Sequence, residues 1–134
     1  MKPEVEAPAR HRLGRAGEAL DEGEHLWAIG AFAGAVNRFY YAAFHAARSL
    51  LAIREVDSAR HSGVISLFQQ HFVKGGLIAP ETAKALPRSF EKRQDADYGD
   101  FAKVSADEAA AIRDEVRSFV AECGSVLERL SAGR

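Results

Sequence analysis

Residues 29–51 leave this chain little choice of fold. Ile29, Phe32, Val36, Tyr40, Ala43, Ala47, Leu50 and Leu51 recur three or four residues apart. Wound at 100° per residue they crowd one arc, the pattern of a long helix buried along that side. On the opposite side fall Arg38, Tyr41, His45 and Arg48, at spacings of three, four and three. Polar groups on a helix this apolar are costly to bury without partners. The stripe must therefore meet solvent, another subunit or a ligand, and it is the first place to seek function.

The rest of the chain is helical in period too, with no convincing strand pattern. A first helix spans about Pro3 to Ala28, with Leu13, Ala16, Leu20 and Trp27 near helical spacing. Gly30 marks a tight turn into the second, about Ala31 to Arg54, and Val56-Asp57-Ser58-Ala59 is a linker. A third, about His61 to Lys74, turns Val64, Ile65, Leu67, Phe68, Phe72 and Val73 inward until Gly75-Gly76 stops it. Pro80 opens a shorter fourth helix that Pro87 breaks or kinks. Ser105-Ala106-Asp107-Glu108 is a capping box for the last helix, which repeats Ala109, Ile112, Val116, Phe119, Cys123, Leu127 and Leu130. Substantial helices on short connections predict an all-α fold, an antiparallel four-helix up-and-down bundle with one extra short helix.

Length and composition narrow the function classes. At 134 residues the chain is read as one domain, 1–134, with a core that needs neither disulfide nor metal. A net charge of −1 is not that of a general nucleic-acid binder. A local basic patch remains, because Lys84, Arg88, Lys92 and Arg93 face only Glu91 in their segment. The single cysteine, Cys123, sits among Phe119, Val120, Val126 and Leu127 and reads as a small core residue. His61 and His71, ten residues apart, point about 80° from each other on one helix, poor geometry for a shared metal, and His61 reads as a solvated or backbone-bonded residue at a helix start. No metal site and no cofactor are expected. P-loop, GxGxxG and GxSxG patterns are absent. No apolar run approaches the roughly 18 residues of a membrane span, and residues 1–6 lack the apolar stretch of a signal peptide. The expectation is a cytoplasmic protein without membrane attachment.

Within the stripe, Arg38 and His45 are the candidate catalytic pair. Seven residues separate their Cα atoms by about 10 Å along the axis, and helical side chains lean toward the N-terminus, so His45 tilts toward Arg38. Both tips can engage one phosphodiester, the guanidinium as charge clamp and the imidazole as proton carrier. The competing reading pairs Arg38 in a buried salt bridge with Asp95 or Asp97 while His45 caps a polar cluster. Asn37, Tyr41, Arg48, Arg93, Asp97 and Tyr98 are the supporting or ligand-binding candidates. The segment Arg93-Gln94-Asp95-Ala96-Asp97-Tyr98 is expected to follow the fourth helix as a turn near Gly99, tied to the bundle through Asp97 and the Tyr98 hydroxyl.

The stretch from Ala35 to Leu51 resembles the signature helix of small prokaryotic HEPN-domain proteins. His61-Ser62-Gly63-Val64 and Arg93 through Asp97-Tyr98 resemble further blocks of that family in the same order, and the likeness covers about residues 9–130. The resemblance implies a helical bundle that dimerises and a toxin-like, metal-independent endoribonuclease of a toxin–antitoxin or defence system. It also implies a minimal nucleotidyltransferase as antitoxin partner. In nuclease members an Arg and a His with four to six residues between them, one pair from each subunit, build the site. Arg38 and His45 have that spacing, as do Arg54 and His61, whose pair straddles the linker. The late Arg93 block carries no following histidine. The alternative implied by the same resemblance is a non-catalytic module that binds nucleotide or RNA, or docks to the nucleotidyltransferase.

Overall fold

The computed structural model describes residues 1–98 and 103–133. These form α1 (Pro3–Ala28), α2 (Phe32–Ile53), α3 (His61–Phe68), a π-helical turn (Gln69–Val73), α4 (Pro80–Ala83), α5 (Ala85–Tyr98) and α6 (Ala106–Ser131). Among the described residues every regular element is helical. The bundle is built from α1, α2, α5 and α6. Helix α2 runs through its middle and packs against α1, α3, α5 and α6.

Composition explains why α2 takes the centre. Ala35, Ala42, Ala43, Ala46 and Ala47 are all fully buried, so neighbouring helices approach it on several sides. Phe39, Tyr40, Leu50 and Leu51 fill the space between, together with Phe68, Phe72, Phe119 and Leu127. Cys123 is buried among them, and burial pushes its thiol well above the ordinary range. Ile29 departs from the expected apolar arc: it is 78% exposed because the chain has already left α1. Gly30, at φ +81°, lets Ala31 N–H donate to Leu26 C=O and reverses the chain.

Helix α1 meets α2 at Gly23. A Cβ there would stand 2.5 Å from Cε1 of the buried Phe39 ring. Gly23→Ala is accordingly expected to cost about 1–2 kcal/mol, overpacking outweighing the better helix propensity of alanine. Urea unfolding checks this, and Phe39→Leu in the same chain should recover part of the loss.

The end of α2 carries a second strained position. Glu55 N–H donates to Ala52 C=O and Val56 N–H to Leu51 C=O, the hydrogen bonds of a glycine-ended helix, but Glu55 occupies the left-handed position at φ +56°. Glu55→Gly should stabilise the protein by about 0.5–1 kcal/mol, seen as a Tm higher by about 3 °C.

Elsewhere the structure revises the boundaries. The third helix does not continue regularly to Lys74: after Phe68 it widens into the π turn, which buries both Phe72 and Val73. Pro87 does not break a helix, because it lies in the first turn of α5, where no N–H is required of it. The Arg93–Tyr98 segment is not a turn but the last part of α5, joined by an Arg93–Asp97 pair one helical turn apart at 3.1 Å. The turn expected at Gly99 lies outside the described residues. The basic patch is neutralised. Lys84 meets Glu81, Arg88 meets Glu115 at 2.9 Å and Lys92 meets Glu108, so two of these pairs tie α5 to α6. The capping box forms as expected: Glu108 N–H donates to Ser105 Oγ and Ser105 N–H to Glu108 Oε1. With the Lys92 ammonium also on it, the Glu108 carboxyl is held down at about 2.

Candidate functional site

The polar stripe of α2 is clamped between α1 on one side and α3 and α5 on the other. Tyr41 is its pivot. The Arg38 guanidinium carbon lies 5.0 Å from the Tyr41 ring centroid, and that of Arg93 from α5 lies 5.4 Å from it. The His45 ring is 6.1 Å away on the same helix. Arg38, Tyr41, His45 and Arg93 thus come together at one place, with cation–π attraction holding two guanidiniums against one phenol.

Arg38 does not pair with Asp95 or Asp97. Its Nε and Nη2 donate to Oδ1 of Asn37 at 3.1 and 2.8 Å, and Nη1 stands 3.6 Å from Glu22 of α1. Asp97 is taken by Arg93, whose guanidinium also lies 5.3 Å from the Tyr40 ring and whose Nη1 is buried without a hydrogen-bond partner. Asp95 is exposed, and at two residues from Asp97 it does not share that residue's face of α5. Tyr98 is 75% exposed at the end of α5, so its hydroxyl does not tie that end to the bundle core.

One turn on, Arg48 forks onto Asp57 through Nε and Nη2 at 3.0 and 2.6 Å. Arg12 of α1 reaches the same carboxylate at 3.6 Å and donates to the Arg48 carbonyl at 3.1 Å. The Arg48 hydrogen bonds hold the Asp57 carboxyl below its usual range. Asp57 sits in the expected linker, and only tertiary folding reveals it as the counter-ion.

His45 lies between these groups. It is 9% exposed, and its Nδ1 is buried with no partner. Burial, followed by the positive charges of Arg15, Arg48, Arg38 and Arg12, pushes its pKa down to about 4. The imidazole is therefore neutral near pH 7 and faces four guanidiniums.

His61 differs from its expected solvated role. It does open α3, but its Nδ1 is 2.5 Å from the hydroxyl of the fully buried Tyr40. Its ring packs on Phe44 at 4.8 Å and stacks with Phe90 at 5.6 Å. Burial and the Arg93 charge lower its pKa. Among the described residues no group of three or more His, Cys, Asp or Glu side chains is arranged to hold a metal ion, and no helix is long and apolar enough to cross a membrane.

This arrangement, a central helix bearing Asn-Arg and Tyr-Tyr groups met by an Arg-Asp pair from a later helix, rests on motifs spread over most of the chain. The family model of the HEPN domain matches residues 9–128. The chain belongs to the HEPN family. Among HEPN relatives, a "UPF0332 protein" of Thermotoga maritima is 40% identical over 64% of this chain and 65% of its own length. Two proteins of Methanocaldococcus jannaschii, each named "Putative toxin", are 30% and 34% identical. The first is matched over 71% of this chain and 65% of its own length, the second over 72% and 71%. The chain thus spans just under two thirds of the length of the first two of these relatives.

Proposed function

We propose that this HEPN protein is an RNA-directed toxin that cleaves its substrate without a metal, Arg38 clamping the scissile phosphate and His45 carrying the proton. The observation that carries the reading is the unbalanced positive charge converging on His45. The charges of Arg12, Arg15, Arg38 and Arg48 act on that ring, and the carboxylates paired with these arginines are Asp57 and Glu22. Such a site favours a bound anion, and a phosphodiester supplies one in reach of both the guanidinium and the imidazole. The 2′-hydroxyl of RNA would attack the adjacent phosphate as His45 accepts its proton; the P–O5′ bond breaks to leave a 2′,3′-cyclic phosphate, water returns a proton to the departing 5′-oxygen, and Arg38 stabilises the crowded phosphate oxygens. Asn37 holds the Arg38 fork, Tyr41 carries it, and Arg48, Arg93, Asp97 and Tyr98 support the surrounding surface.

A homodimer and a nucleotidyltransferase antitoxin belong to this proposal through the family resemblance alone. Gly34 of α2 faces Leu26 of α1 within the protomer, where a Cβ would lie 3.4 Å from its Cδ1. Sedimentation of the purified chain, alone and with a co-expressed nucleotidyltransferase, tests both partners. The second reading, a non-catalytic module for nucleotide or RNA, draws support from the sealed Nδ1 of His45. An RNA cleavage assay of wild type against Arg38→Ala and His45→Ala, with helix content followed by circular dichroism, separates the two. Binding without product by the wild type would favour the second.

A further inference from the structure

We infer that His61 is a second imidazole of the site, presenting a fixed Nε2–H to a phosphodiester oxygen of RNA because Tyr40 occupies its Nδ1. This rests on the RNA-directed reading above. Tyr40 is fully buried and its hydroxyl has one partner, Nδ1 of His61, at 2.5 Å. Burial keeps the phenol protonated, and because Nδ1 of His61 is the one partner of that buried hydroxyl among the described residues, donation to Nδ1 is the arrangement that satisfies its proton. The proton of the neutral ring then sits on Nε2.

The aromatic cage fixes where that proton points. Phe44 and Phe90 hold the ring at 4.8 and 5.6 Å, and Tyr41 lies 6.2 Å away. Nε2 has no protein partner among the described residues, yet it is not one of the sealed polar atoms, as Nδ1 of His45 is. Tyr41 is flanked by both imidazoles and by the guanidiniums of Arg38 and Arg93. A neutral N–H donor beside cations adds a directional hydrogen bond to an anion without adding like-charge repulsion. Tyr40 is then a positioning residue, acting only by choosing the tautomer.

A merely structural account would have His61 satisfy a buried hydroxyl and nothing more. The two accounts separate on the intact ¹⁵N-labelled chain, titrated with a short 2′-O-methyl RNA oligonucleotide that lacks the attacking hydroxyl. Long-range ¹H–¹⁵N spectra of the free protein should give His61 as a single Nε2–H tautomer, and saturation with the oligonucleotide should move its Nε2 resonance. His61→Ala should weaken binding about tenfold or more with helix content kept. Tyr40→Phe should lose the single-tautomer signature and weaken binding by less. If His61→Ala does not fold, the wild-type Nε2 response decides alone. An unmoved Nε2 resonance, or wild-type affinity in His61→Ala while Arg38→Ala has lost binding, overturns this inference and leaves the RNA-directed reading standing. Absence of oligonucleotide binding by the wild type overturns both.

Discussion

RNA cleavage by the His45→Ala variant should fall by about 10²–10⁴-fold relative to wild type, the range lost when a positioned proton carrier is removed. Arg38→Ala should cost about 10²–10³-fold, as expected for loss of one group aimed at developing charge on phosphate. The two effects should differ in kind. Because His45 is neutral near pH 7, with a pKa pushed down to about 4, it starts the reaction as the proton acceptor. The acid limb of kcat/KM, which reports deprotonation of this base in the free protein, should therefore be complete by about pH 5, with no further rise from His45 above it. A phosphate bound among the arginines offsets their charge and raises the pKa of His45, so the same limb in kcat should move to higher pH. Arg88→Ala, which breaks an exposed pair with Glu115 away from the stripe, serves as the control and should leave cleavage unchanged. Equal cleavage by wild type, His45→Ala and Arg38→Ala would end the catalytic assignment.

Much of the bundle could be read from the chain because its cues are local. Apolar residues three and four apart, Gly30 and Gly76 at positive φ, Pro80 opening a helix and the Ser105–Glu108 box each act within a few residues. The misjudged elements depend on longer-range effects. Pro87 reads as a breaker only if its place in the helix is unknown, and α5 begins two residues before it. The π turn at Gln69–Val73 follows from tertiary packing that buries Phe72 and Val73 on one side, which no propensity encodes.

The site divides along the same line. Periodicity alone set Arg38, Tyr41, His45 and Arg48 on one stripe, and the structure does gather their surroundings about Tyr41. What could not be read is which charge meets which. Arg38 chose Glu22 and its neighbour Asn37 over Asp97, because Asp97 lies on α5 one turn from Arg93 and pairs there at little entropic cost. Arg12, Arg15 and Asp57 join the stripe from α1 and a connection, with nothing in their local sequence to mark them. Tyr40 and His61 were legible only in part: the first belonged to the apolar arc, and the second opened a block that already resembled the family.

The largest stability effect expected is acid-induced and comes from His45. In the unfolded chain its pKa returns to about 6.5, whereas in the folded protein burial and four arginines hold it at about 4. Between those values the unfolded state binds the proton and the folded state does not, so stability rises with pH across the window. It is fully present above pH 6.5, declines as the pH falls toward 4, and the loss is complete below that. The gap corresponds to about 3 kcal/mol, a large part of the margin of a domain this size. His61, also lowered, adds to the same slope. The ion-paired carboxylate of Glu108, held at about 2, releases its share only below about pH 4.5. Urea unfolding at closely spaced pH values should therefore show the steepest decline between pH 6.5 and 4 in wild type, a shallower one in His45→Gln, and a nearly flat line in His45→Gln/His61→Gln. A wild-type profile as flat as that of the double variant would mean that neither imidazole is held neutral by its surroundings. The arginine-ringed His45 would then lose its claim to be an anion site awaiting its charge.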